Sequence, residues 1–163
     1  MSIARLTAPL RPLFATLLLL VLAGPLSAGT ERFTVLAGGN RVGFLEAVTT
    51  GSSVVIRYDY KNNGRGPTIA EAITLGPDGL PRRWTIEGAT TFGNKVAESF
   101  AEADGVARWT DAAGGGEARV QAPTLYIAQS ASPWATGLYA RAALGSPGNA
   151  VEVLPSGTLK VTP

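Results

Sequence analysis

The feature that most constrains this chain is a two-residue alternation of apolar and polar side chains, interrupted at short intervals by glycine-rich turns. Ser53 to Tyr60 shows it best. Val54, Ile56, Tyr58 and Tyr60 share one face, and Val55, Arg57 and Asp59 share the other. That period suits a half-buried strand and no helix. Similar segments run from Arg32 to Ala37, Arg41 to Thr49, Ile69 to Leu75, Arg82 to Thr91, Val96 to Ala103 and Val106 to Thr110. Glu117 to Ala122 and Thr124 to Ala128 continue the series, with Gly114-Gly115-Gly116 expected to separate them from the strand before. The connections are turn-formers: Gly38-Gly39-Asn40, Gly76-Pro77-Asp78-Gly79, Phe92-Gly93-Asn94 and Asp104-Gly105. Asp-Gly between two apolar runs is a strong hairpin signal.

The pattern changes once. Ser132-Pro133 opens a helix, with Ser as a cap and Pro at the first turn. Trp134, Leu138 and Ala142 recur at helical spacing, and Gly145 and Pro147 end the segment. A last hairpin runs from Ala150 to Leu154, turns at Pro155-Ser156-Gly157 and returns from Thr158 to Val161. The expected fold is mainly β: an antiparallel meander forming a curved sheet or half-barrel, with one α-helix on its C-terminal side. A closed barrel and a flatter α+β sheet are the alternatives.

The first residues have a different character. Arg5 and Arg11 precede an apolar run, Leu13 to Ala23, in which Thr16 is the one polar residue. Gly24-Pro25 and the small residues of Leu26-Ser27-Ala28 follow. This is the layout of a cleavable signal peptide, 1–28, with Gly29 as the other candidate last residue. The run is shorter than the roughly 20 apolar residues of a membrane span. Residues 29–163 are then a single β-rich domain of an exported protein, periplasmic or secreted, with no stable membrane anchor after cleavage. With no cysteine in the chain, neither disulfides nor lipid attachment at the junction is available.

Cleavage also resets the charge. The chain has 14 Lys+Arg and 12 Asp+Glu. Loss of Arg5 and Arg11 leaves 12 against 12, a net charge of zero. A nucleic-acid binder needs a basic excess, so that class is set aside.

The inventory of reactive side chains is short. The chain has no histidine. Without His or Cys, the common triads and zinc sites are out of reach. A carboxylate site for calcium or magnesium would need clustered acids, and no loop has the required spacing. Glu71, Glu87, Glu98 and Glu102 lie on expected strands and are the candidates for carboxylate-pair chemistry. Solvated strand faces explain them as well, and nothing in the sequence selects a pair. No catalytic, cofactor-binding or metal-ligating residue is assigned.

Two loop or partner contacts stand out. Arg65, flanked by glycines in Asn63-Gly64-Arg65-Gly66-Pro67, is placed to meet an anion, or simply sits in a turn needing positive φ. That segment lacks the strand-to-helix context of a phosphate loop. Trp134, in Ser130-Ala131-Ser132-Pro133-Trp134, marks either a docking surface or a capped helix start. With Trp84 and Trp109 it completes a set of three tryptophans whose ordinary role is core packing.

Several segments in order resemble a known family. They are Tyr58 to Pro67, Glu71, Asp78-Gly79-Leu80-Pro81, Ile86-Glu87-Gly88, Thr91-Phe92-Gly93, Glu98-Ser99-Phe100, Ala107-Arg108-Trp109, Leu125 to Ala128, Ser132-Pro133-Trp134 and Leu138 to Ala142. Together they resemble the N-terminal β-rich region of secreted bacterial amidohydrolases of the imidazolonepropionase-like type. In that family a metal-dependent barrel with a His-x-His motif follows. The resemblance implies a non-catalytic accessory domain, truncated or split from a longer enzyme, with the barrel as partner in cis or encoded adjacently. It carries over no metal ligand and no cofactor. A free-standing module that binds a lipid or other apolar ligand in its curved sheet is the competing expectation.

Overall fold

The computed structural model describes residues 28–162. The expected leader lies outside these residues, apart from Ala28. Ala28 and Gly29 open the first strand.

Eight strands form one open antiparallel meander in chain order. They are β1 (Ala28–Ala37), β2 (Asn40–Thr50), β3 (Ser53–Tyr60), β4 (Thr68–Leu75), β5 (Pro81–Ala89), β6 (Lys95–Ala103), β7 (Val106–Asp111) and β8 (Gly114–Arg119). The sheet does not close into a barrel, so β1 and β8 are its two edges. A second sheet of three strands has the order β11 (Thr158–Lys160), β10 (Ala150–Leu154) and β9 (Thr124–Tyr126). The β9–β10 pair is parallel, which a pure meander does not contain. It forms because the helix α1 (Trp134–Leu144) lies between the two strands and acts as their crossover.

The alternation read in β3 is the one observed. Val54 and Ile56 are buried and Tyr58 and Tyr60 half-buried, while Val55 and Arg57 face solvent. Trp84, Ile86, Phe100, Ile73 and Ala107 continue this inner face across the sheet, and Ala135 and Leu138 of α1 pack onto it. Farther along, Ala143 of the helix joins Leu80, Leu125 and Val151 in a smaller core against the second sheet. One 11-residue helix therefore cements both sheets.

Three local expectations need correction. The triple glycine is not a separator but the start of β8, where Gly116 stands opposite Trp109. A Cβ at Gly116 would lie 2.3 Å from the indole ring, so glycine is needed for close approach and not for turning. The strand after it ends at Tyr126 rather than Ala128. Ser132 does not cap the helix: Pro133 occupies the cap position and no side chain caps the helix start. Its backbone N–H is used elsewhere, as described next.

Candidate functional site

Cross-strand register places three glutamates in one row. Reading across the sheet, Glu31 of β1 stands opposite Ala47, Ala47 opposite Ile56, Ile56 opposite Glu71, Glu71 opposite Ile86 and Ile86 opposite Glu98. All three acids point to the inner face. Glu71 and Glu98 are almost fully buried, at 3% and 4% exposure. A buried carboxylate is tolerated only when donors surround it.

All but one of the donors come from one segment, residues 126–134, which crosses the row as a strap; the other is the Trp84 indole of β5. Glu98 Oε1 accepts from the Tyr126 hydroxyl at 2.8 Å and from the Gln129 backbone N–H at 2.9 Å. Its Oε2 accepts from the Ser130 N–H at 2.8 Å. Glu71 Oε1 accepts from the Ser132 N–H at 2.7 Å, and Oε2 from the Trp84 indole at 2.9 Å. Glu31 Oε2 accepts from the Trp134 indole at 2.7 Å. The Tyr139 hydroxyl, from α1, accepts from the Ala128 N–H at 2.9 Å. From Ala128 to Pro133 the strap is irregular backbone laid against a hydrophobic core, and the N–H groups of Ala128, Gln129, Ser130 and Ser132 bond to side chains rather than to a strand. The glutamates are the acceptors that make its burial affordable.

Burial raises the Glu71 pKa above its ordinary value. Donors from Ser132 and Trp84 oppose the rise, and the charge of Glu98 adds to it. The Ser132 hydroxyl itself is buried without a hydrogen-bond partner. The phenols of Tyr126 and Tyr139 are also raised, chiefly by burial, that of Tyr139 to about 12. Both remain neutral donors or acceptors through the physiological range.

This arrangement separates the four candidate acids. The solvated reading holds for Glu87, which is exposed, and for Glu102, which pairs with Arg82 at 3.0 Å near the surface. It fails for Glu71 and Glu98. The signal was the company they keep. Glu71 shares its strand face with Ile69 and Ile73, and Glu98 shares its face with Val96 and Phe100. Glu71 and Glu98 are two strands apart, about 10 Å between backbones. Each carboxylate oxygen already holds at least one donor. Among the described residues no three carboxylates come close enough to hold a metal ion. Glu71 and Glu98 organise structure, and every oxygen of their carboxylates is engaged by a donor.

Arg65 and Trp134 end up in different settings. Arg65 is exposed at a tight turn in which the Asn62 and Arg65 backbones exchange bonds of 2.8 and 3.0 Å. Asn63 and Gly64 both have positive φ, 50° and 73°. The turn reading of this loop is therefore the observed one. Lys61 Nζ donates to the carbonyls of Gly66 and Pro67 at 2.7 and 3.1 Å. These carbonyls converge on a cation, the opposite of an anion cradle.

Trp134 lines a groove of about 620 Å³ between the β1 side of the sheet and α1. Phe33, Val35, Leu45 and Tyr58 form its floor, and Arg141 its rim. The Arg141 guanidinium sits 5.4 Å from the Trp134 ring centroid, over its face. Arg65 does not line this groove. Trp84 is fully buried, and Trp109 packs at 6.4 Å from Tyr126, which itself stacks on Phe100. Core packing thus describes Trp84 and Trp109, and a groove wall describes Trp134.

No protein-family model, curated protein or solved structure matches this chain. Among the described residues no helix is long and apolar enough to cross a membrane.

Proposed function

We propose that this chain is a non-catalytic accessory domain of an exported, metal-dependent amidohydrolase, acting with a catalytic barrel in cis or encoded adjacently. The observation that carries this reading is the saturation of Glu71 and Glu98 by the chain's own strap and the Trp84 indole. A general acid or base must reach substrate, and these two reach only Tyr126, Trp84 and backbone amides. The family resemblance supports the same reading. Its motif residues Glu71, Glu98, Trp109, Tyr126, Ser132, Trp134 and Tyr139 are those that build the strap, its anchors and its packing. The resembling segments therefore act as one folded unit, as an accessory domain requires.

The test is direct. The full chain, expressed in an exporting host and assayed with zinc or manganese on amide and dipeptide substrates, is expected to be inactive. Sequencing the adjacent DNA should find a barrel with His-x-His. Hydrolysis by the chain alone, abolished by a chelator, would overturn the reading.

One observation favours a second reading, a free-standing binding module. The groove of about 620 Å³ falls within the usual size of small-molecule sites. It lies beside β1 rather than under the helix, because Ala135, Leu138 and the strap fill the centre of the inner face. A stoichiometric apolar molecule seen by native mass spectrometry of the exported protein would favour this alternative.

A further inference from the structure

The two edges of the large sheet are built differently. β8 is short, begins with three glycines and carries Glu117 and Arg119. A short edge strand is an ordinary way of discouraging edge pairing. β1 is ten residues long, without proline or lysine, and none of its residues is fully buried. Phe33 is 54% exposed and Leu36 62%. Among the described residues no strand pairs with its outer edge. β1 carries Glu31 and Arg32, and its register against β2 shifts between Val35 and Leu36, yet ten residues of open edge with Phe33 and Leu36 exposed still offer a template for another strand.

We propose that β1 is a homodimer seam, on which a second copy of β1 pairs antiparallel about a two-fold axis at Thr34. The sequence fits that register. Phe33 meets Val35 of the second copy on the inner face, beside the groove that both already line. Thr34 meets its own equivalent on the outer face, and Arg32 meets Leu36. Glu31 meets Ala37, so no like charges oppose one another. Arg32 is already neutralised by Glu46 of its own chain. The net charge of zero over residues 29–163 removes long-range repulsion between copies. The contact is isologous, so it closes at two copies and does not propagate into a fibre. It joins two eight-stranded sheets edge to edge.

The chain has no cysteine, so an introduced one reports without background. The full sequence is expressed in an exporting bacterial host and the exported protein examined by analytical ultracentrifugation up to about 100 μM. A concentration-dependent dimer is expected. Phe33→Lys is expected to weaken it at least about tenfold, since it places a charge in the seam. Thr34→Cys is expected to form an interchain disulfide under mild oxidation. Directly opposed strand residues lie about 4.5–5.5 Å apart, within disulfide reach. Glu117→Cys on β8 is the control and should stay monomeric. A monomer at every concentration, or Thr34→Cys cross-linking no faster than Glu117→Cys, overturns the proposal. So does recovery of a stoichiometric complex with a different protein on β1. Should Phe33→Lys fail to fold by circular dichroism, the cysteine pair alone decides. The outcome is independent of the hydrolysis assay: an inactive chain can be dimeric or not.

Discussion

The inner and outer faces of the same sheet use carboxylates in opposite ways. Outside, Glu46 pairs with Arg32 and Glu117 with Arg108, both with substantial solvent exposure. Inside, Glu71 and Glu98 have no cation in contact and are held by amides, an indole and a phenol. An exposed ion pair exchanges one hydrated state for another and contributes about 0–1 kcal/mol. A buried acceptor serving several donors cannot be removed without stranding them all. Equal formal charge therefore carries very different structural weight on the two faces.

Glu98→Ala should break this contrast most severely. It strands the Tyr126 hydroxyl and the amides of Gln129 and Ser130. A loss of about 3–5 kcal/mol in urea unfolding is expected, against less than half that for Glu98→Gln. An Ala variant as stable as the Gln variant would contradict the assignment.

Titration sharpens the same point. The Glu71 pKa is higher folded than unfolded, so the folded protein holds that proton more tightly. Its contribution to stability is fully present below the unfolded carboxyl pKa and is lost as pH rises through the folded one. At the alkaline end Tyr139 behaves alike. Its contribution is complete below the ordinary phenol value of 10.0 and falls away as pH passes about 12. Unfolding midpoints measured across both windows should decline with rising pH. Glu71→Gln should flatten the acid window, and Tyr139→Phe should make the alkaline decline shallower, the raised Tyr126 phenol still contributing to it. Midpoints that climb with pH through the acid window would refute the Glu71 assignment.

Smaller effects belong at the margins. Trp134→Phe removes one indole bond to Glu31 at the groove wall and should cost about 1 kcal/mol. Arg108→Ala removes an exposed pair with Glu117 and should change stability by no more than about 0.5 kcal/mol. Equal losses in these two variants would erase the distinction between inner and outer contacts.

Much of the fold is legible in the residues themselves. The alternation in Ser53–Tyr60 and the Asp104-Gly105 hairpin mark strands and turns directly, because backbone and burial act locally there. The row was not legible, for two physical reasons. Charged residues in strands usually face water, so Glu71 and Glu98 read as solvent-facing despite their isoleucine, valine and phenylalanine neighbours. Their donors are mostly backbone amides of residues 129–132, and an amide N–H has no sequence signature. Ser132 was misread for the same reason. Its place before Pro133 suits a cap, but its amide points to a carboxylate 61 residues earlier. Gly116 likewise serves a tryptophan across the strand pair, which spacing along the chain cannot reveal.

The most direct test of the strap is native-state hydrogen exchange at the amides of Gln129, Ser130 and Ser132. They lie outside regular secondary structure, where exchange is ordinarily fast. If the buried glutamates hold them, they should exchange as slowly as core amides of β4 and β6. Exchange at open-loop rates, with those strands still protected, would contradict the account.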